Sequence, residues 1–219
     1  MQKELNLLLP LLSNTTTITI DGYTIHSGNA GHNKVTVMQC GIGKVNATIG
    51  TVSLLNNFKP GLVINTGVAG GADRSVNVMD IVIGEEIAHH DVWCGPGTIY
   101  GEASGYPLYF KSDAGIMKLI GETGNRRIKK GLICSGDKFI AGIEEVDYIK
   151  KNFSKALAVD MESASIAQVC HLRNVPFLCV RVISDSPGAG NDNVAQYENF
   201  WDEAPKQTFG IIRDLLQKI

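Results

Sequence analysis

The sequence predicts an α/β domain with a central, largely parallel twisted sheet, and three observations lead there. Apolar runs of strand length recur at Leu62 to Asn65, Ile81 to Ile83, Gly131 to Cys134 and Phe177 to Ile183. Stretches of helical length lie between them. The runs are continuous rather than alternating, the pattern of strands covered by helices on both faces. Strands that alternate with helices give layered folds with parallel pairing.

Element by element, Met1 to Glu4 lead directly into a leucine-rich helix. Thr17 to Ile20, Asp21-Gly22 and Tyr23 to Ile25 predict strand, turn and strand, since an Asp-Gly pair between such runs is a hairpin signal. Val35 to Cys40 predicts another strand, ended by Gly41-Ile42-Gly43. Lys44 to Phe58 predicts a helix closed by Pro60-Gly61. The run Leu62 to Asn65 is expected to end in a turn over Thr66-Gly67-Val68-Ala69-Gly70-Gly71. Helices are expected over Ser112 to Gly121, Ile143 to Lys151, Glu162 to Leu172 and Val194 to the C-terminus, the last kinked or divided by Pro205. No repeat, low-complexity tract or linker interrupts the series, so residues 1–219 read as one domain.

Composition narrows the function classes. Lys plus Arg number 20 and Asp plus Glu 22, a net charge of −2. With no basic block, neither nucleic acid nor an anionic membrane surface is expected as a partner. Cys40, Cys94, Cys134, Cys170 and Cys179 form no C-x-x-C pair, which fits reduced thiols in a cytoplasmic protein. Leu5 to Leu12, broken by Asn6 and Pro10, is too short for a signal peptide or a membrane span. His26, His32, His89, His90 and His171 lack metal-ligand spacing, so no metal is expected.

Ligands of open α/β sheets bind beyond the carboxyl ends of the strands, so polar residues there are the candidates. Asn65 to Gly71 offers backbone N–H groups with little side chain in the way. Neither it nor Gly41-Ile42-Gly43-Lys44 has dinucleotide or Walker spacing, and a plain tight turn explains it as well. Ser135 to Ile140 puts Phe139 beside free backbone groups, where a ring can stack on a planar base while the main chain reads its edge. Taken alone, Phe139 reads better as packing. Asp160 and Glu162 flank Met161 where a strand meets a helix, although acids also serve a helix start. Arg181 lies inside an apolar strand that ends at Asp185. A charge in a buried strand must be paired or face a polar cavity, so this segment points most directly to function.

Together and in this order, Gly41 to Val45, Asn65 to Gly71, His90-Asp91, Gly131 to Ile140, Ala158 to Ala164 and Val175 to Asp185 resemble the nucleoside phosphorylase/nucleosidase superfamily. The likeness is greatest to the bacterial 5′-methylthioadenosine/S-adenosylhomocysteine nucleosidases. It implies a three-layer αβα fold and hydrolysis of the N-glycosidic bond to adenine and a 5-thio-ribose, with no metal or organic cofactor. Residue by residue, it implies that Asp185 protonates adenine N7. Glu162 would hold the ribose 2′- and 3′-hydroxyls and put negative charge near an oxocarbenium-like C1′. Glu4 would orient and deprotonate the attacking water with help from Arg181. Phe139 would stack on adenine, the Ile140 backbone would read its edge, and Met161 would lie under the ribose. Met1, Ile42 and Tyr197 would border the 5′-alkylthio group, with Asp160, Val68, Ala69 and Gly70 completing the substrate contacts. The family's pocket is closed by a loop of a second subunit, here Asp91 to Tyr109, which implies a homodimer.

The likeness has departures. Val68 stands where the family usually has Ser, Asp160 where Glu is commoner, and Trp93-Cys94-Gly95-Pro96-Gly97 differs from the usual loop. The family's first strand would precede Met1, so the sheet is expected to lack it. A purine nucleoside phosphorylase is one alternative, although phosphate needs converging cationic or N–H donors where this chain has Asn65 and Val68. A futalosine-type nucleosidase is a second. A nucleoside-binding protein without turnover is a third, and the joint presence of Glu4, Glu162 and Asp185 argues against it.

Overall fold

The computed structural model describes residues 2–120, 128–187, 193–203 and 210–219. Helix α1 (Gln2–Leu8) passes through one 3₁₀ turn (Leu9–Leu11) into three antiparallel strands, β1 (Ser13–Ile20), β2 (Tyr23–Ala30) and β3 (Asn33–Met38). Pro10 sits at the start of that turn, where its missing N–H costs nothing. Asp21 and Gly22 make the first hairpin, both at positive φ (51° and 81°), as a two-residue primed turn requires. Strand β3 lies two residues earlier than the run Val35 to Cys40 predicts.

Helix α2 (Lys44–Phe58) has the expected bounds and ends at Lys59 in the left-handed conformation. The other strands are β4 (Val63–Gly71), β5 (Ile81–His89), β6 (Phe110–Lys111), β7 (Ile128–Ser135), β8 (Ala156–Asp160) and β9 (Phe177–Asp185). They form one mixed sheet in the order β6-β5-β7-β8-β4-β9. The long pairings β5–β7, β7–β8 and β4–β9 are parallel, and β4–β8 and β5–β6 are short and antiparallel. Strand β9 also pairs antiparallel with β5, from Ile81–Val182 to Gly84–Cys179, so five strands close into a ring.

One sequence expectation fails. Thr66 to Gly71 is not a turn, because β4 continues to Gly71 and pairs with β9 from Val63–Phe177 to Gly70–Asp185. Glycines inside a strand mark close approach. A Cβ on Gly67 would stand 2.8 Å from Glu4 Oε1 and 3.2 Å from Arg181 Nη1, and one on Gly71 would press on Ile183. These glycines make room for side chains rather than for a change of direction.

Helices α3 (Ala114–Leu119), α4 (Ile143–Asn152) and α5 (Ser163–Arg173) fall within a residue or two of the predicted stretches. Asp113 caps α3, its carboxylate accepting the Ile116 N–H at 2.8 Å; Gly121 lies outside the described residues. Helices α6 (Asn193–Glu203) and α7 (Gly210–Leu216) stand on either side of Pro205, itself outside the described residues. Among the described residues no helix is long and apolar enough to cross a membrane.

All nine residues of β9 are buried, which explains its unbroken apolar run. Cys179 and Ile183 pack with Ala164, Ala167 and Cys170 of α5 and Ala47 of α2. Leu178, Val180 and Val182 face the opposite way, toward Phe200 and Trp201 of α6 and Ile211, Ile212 and Leu215 of α7. A third cluster joins Val146 and Ile149 of α4 to Leu132, Cys134 and Ala156.

Candidate active site

Strands β4 and β8 meet only at their last residues, Gly70 opposite Val159 and Gly71 opposite Ala158. The carboxyl ends of the two parallel pairs, β4–β9 and β7–β8, therefore face one another. Gly70, Phe139, Ile140, Asp160, Met161 and Asp185 surround a small cavity of about 40 Å³ at this meeting. A larger cavity of about 670 Å³ lies between α1, β3 and the first half of β4. Its walls are mostly apolar, with Leu5, Leu8, Val35, Ile64 and Leu216, and among the described residues Glu4 is its only acid. The buried acids Asp160 and Asp185 mark the small cavity as the site, whereas Glu4 lines the large one and Glu162 and Arg181 line neither.

Asp185 ends β9 with 2% exposure. Burial raises its carboxyl above the ordinary aspartate range, partly offset by donors from Ser184 and Asn193. Ser184 Oγ donates to Oδ1 at 2.7 Å, and Asn193 Nδ2 reaches Oδ2 at 3.4 Å. The Asn193 amide also lies 3.3 Å from the Ile140 carbonyl, linking the acid to the backbone next to Phe139. Oδ2 is the oxygen that faces Gly70, where a Cβ would come within 3.4 Å of it.

Arg181 is 2% exposed, and its charge is met at once. Nε donates to Asp160 Oδ2 at 2.7 Å, while Nη2 donates to Asn65 Oδ1 and, at 2.8 Å, to Ser163 Oγ. Burial would raise the Asp160 carboxyl, but Arg181 and the hydroxyls of Ser135 and Ser163 outweigh it and hold it below the usual range. The guanidinium stays charged, its own pKa raised by Asp160 against the effect of burial.

Glu162 stands just ahead of α5, as the sequence predicts for the strand-to-helix junction. Burial raises its carboxyl first, and the neighbouring Asp160 charge adds to this. One oxygen accepts the Gly43 N–H at 2.9 Å, at the start of α2. That amide is held by a clamp. Lys44 N–H donates to Asp137 Oδ1 at 2.7 Å, Asp137 N–H donates to Asp91 Oδ2 at 2.9 Å, and Lys44 Nζ pairs with Asp91 at 2.9 Å. Glu4 comes from α1; its Oε1 accepts the Val68 N–H at 3.1 Å and, with Arg181 Nη1, borders the space that a Cβ on Gly67 would take.

Phe139 is 43% exposed, its ring edge-on to Tyr197 at 5.9 Å. The loop carrying it is fixed by Glu145, whose carboxylate accepts the Ala141 and Gly142 N–H groups at 2.8 and 3.1 Å. Val68 meets the site through its amide, its side chain packing in the apolar cluster under α6 and α7. Ala69 likewise presents a carbonyl, which accepts from Ser184 Oγ at 3.3 Å. Ile42 is 57% exposed beside Gly43 and does not line the small cavity. Met1 lies outside the described residues. Among the described residues no three His, Cys, Asp or Glu side chains gather as a metal site would need.

The phosphorylase superfamily profile matches residues 1–217. A 5′-methylthioadenosine/S-adenosylhomocysteine nucleosidase from Actinobacillus succinogenes is 42% identical over all of this chain and 96% of its own length. The chain belongs to this nucleosidase family. The family's nucleosidase from S. pneumoniae, solved with the transition-state inhibitor MT-ImmA, superimposes with a TM-score of 0.92 at 33% identity, over 99% of this chain and 95% of that one. The one from Colwellia psychrerythraea, solved with adenine, gives 0.93 at 31% identity over 100% and 92%. A futalosine hydrolase from Helicobacter pylori is 24% identical at a TM-score of 0.92, which shows the shared fold alone. The mixed sheet expected from the resemblance is the nucleosidase family's own.

Several polar residues of the site escaped the sequence reading. Ser135, Ser163, Ser184, Asn193 and Gly43 hold the acids, and Asn65 holds Arg181. The available signal was position: Ser135 and Ser184 stand at strand ends beside the candidates, where a short hydroxyl becomes the partner of a buried acid once the strands are paired.

Proposed function

We propose that this chain is an N-glycosyl hydrolase that cleaves 5′-methylthioadenosine and S-adenosylhomocysteine to adenine and the 5-thio-ribose. Asp185 keeps its proton because burial disfavours the anion, and it gives that proton to adenine N7. The C1′–N9 bond then breaks with its electron pair going to the base. Glu162 holds the ribose hydroxyls and lies near the positive charge growing at C1′. Water adds to C1′ and passes a proton to Glu4. Phe139 stacks on the base, Ile140 presents its backbone to the base edge, Met161 lies under the ribose, and Tyr197 stands on the side of the 5′ group. Gly70, with Val68 and Ala69 through their backbone, completes the contacts; Ile42 and Met1 border the 5′ group.

The observation that carries hydrolysis over phosphorolysis is the setting of Arg181. This cation is already neutralised by Asp160, and the Glu4 carboxylate crowds the same space beside Gly67 as Arg181 Nη1. Phosphate would meet a spent charge and a carboxylate, whereas water would meet a base. A nucleoside-binding protein would have no use for a buried, proton-holding Asp185 together with Glu4 and Glu162. The test is adenine release from 5′-methylthioadenosine with and without phosphate. Release independent of phosphate is expected; release that requires phosphate would overturn the role of Glu4.

We further read residues 1–219 as one cytoplasmic domain that works as a homodimer without metal or organic cofactor. Val45, Ile49, Trp93 and Ile99 are all more than half exposed, and the Lys44–Asp91 pair ties the first two to the loop bearing the others. Large apolar side chains kept in water at one end of the molecule favour burial against a second copy. The loop from Asp91 to Tyr109 would then reach the partner's site.

A further inference from the structure

We propose that Asp160 is a positioning residue that acts through Arg181 and Glu162 and makes no contact with substrate. This rests on the nucleosidase reading and deepens it, replacing the substrate contact that the resemblance implies for Asp160.

The hydrogen-bond capacity of Asp160 is used up inside the protein. A carboxylate offers about four lone-pair sites. Oδ2 accepts from Arg181 Nε at 2.7 Å and from Ser163 Oγ. Oδ1 accepts from Ser135 Oγ and from the Ser163 and Glu162 N–H groups at 3.2 and 3.3 Å. Five donors share two oxygens, which leaves none for a ribose hydroxyl. Asp160 thus borders the small cavity without being able to read what enters it.

Its effect passes outward along two routes. Asp160 and Ser163 hold one edge of the Arg181 guanidinium, and Asn65 takes a further donor on Nη2. Rotation of the group is blocked, and Nη1 is left beside Gly67 and the Glu4 carboxylate, with a long 3.4 Å contact to the Val180 carbonyl. The second route is electrostatic. Glu162 is faced by Asp160 from β8 and Glu4 from α1, which favour its proton, and by Arg181 from β9 and the Gly43 N–H from α2, which oppose it. Cys40, just after β3, also faces it but stays a neutral thiol, pushed up to about 11 by burial; Tyr197 of α6 faces it as a neutral phenol. Asp160 supplies the principal like charge in this set.

The experiment compares Asp160→Asn and Asp160→Glu with the parent chain. Asp160→Asn is expected to lower kcat for 5′-methylthioadenosine by about tenfold or more while KM changes by less than about threefold, the signature of misplaced groups rather than lost binding. It is also expected to move the Glu162 titration to lower pH, read by carbon-13 NMR of the glutamate carboxyls without substrate and assigned with Glu162→Gln. Asp160→Glu, which keeps the charge, should restore most of kcat and the parent titration. An unmoved Glu162 titration overturns the proposal, as does a rise in KM with kcat unchanged.

If Asp160→Asn does not fold, Asp160→Asn with Arg181→Gln leaves no lone buried charge. Its kcat should match that of Arg181→Gln alone, because the two residues act as one unit, and a further tenfold loss would overturn the proposal. A parent chain that releases no adenine would overturn the nucleosidase reading instead, while the NMR titration still decides the role of Asp160.

Discussion

In the proposed mechanism Asp185 gives up a proton, and burial favours the protonated form of its carboxyl. The same burial has a thermodynamic side. The folded chain binds this proton more tightly than the unfolded chain, so the stability it contributes is complete below the unfolded pKa and is lost as pH rises through the raised folded value. Above that window the ionised acid weighs against folding. Asp185→Asn should therefore lower turnover by about 10²–10⁴-fold, the usual scale for a general acid. Its Tm at pH 8 should rise above the parent's, and a transition-state-like inhibitor should still bind, read by calorimetry. Near-parental activity would remove Asp185 from the mechanism. Gly67 makes a second case at this scale. An added Cβ would first meet Glu4 Oε1, the far end of a flexible side chain, at 2.8 Å. Such a contact is relieved cheaply by moving the carboxylate. Gly67→Ala should accordingly cost about tenfold or more in kcat with little change in Tm, whereas a large drop in Tm would show that the strand itself had shifted.

Elements differ in how far the chain announces them. Helix α2 was legible to the residue, because Gly43 and the Lys59-Pro60-Gly61 stop bound a long apolar-bearing stretch. The Asp21-Gly22 hairpin was legible for the same local reason. What stayed hidden depends on distant partners. The second half of β4 looks like a turn in sequence, since its glycines become intelligible only when α1 and β9 deliver Glu4 and Arg181 against them. The closure of β9 onto β5 has no local signature at all. The site divides the same way: Asp185, Glu162 and Arg181 betray themselves as charges at or within apolar strands, while Asn65, Ser163 and Asn193 matter through neighbours far along the chain. One element boundary invites improvement. Lys59 holds φ 47° at the end of α2 and precedes a proline, a conformation that glycine adopts at less cost. Lys59→Gly should stabilise the fold by about 0.5–1 kcal/mol, a Tm gain of roughly 1–4 °C at this size, with adenine release unchanged. A fall in Tm would show that the lysine stem contributes packing there.

For the whole molecule, the proposed homodimer would bury the apolar side chains at the start of α2. Val45→Glu with Ile49→Glu should yield monomers by sedimentation and, where the Asp91 to Tyr109 loop serves the partner's site, lower activity with them. Dimers that persist would place the interface elsewhere. The ring of five strands has a different reach. Gly70, Asp160, Arg181 and Asp185 all sit on strands whose edges are paired to each other, so no member can peel away without breaking two ladders at once. Amide hydrogen exchange in β4, β8 and β9 should then proceed only through global unfolding. Glu4 rides on α1, a seven-residue helix outside the ring, and its carboxylate accepts the Val68 N–H. Its amides should exchange far sooner. The proton donor would thus belong to the slowest-opening part of the chain, and the water-handling acid to one of the quickest.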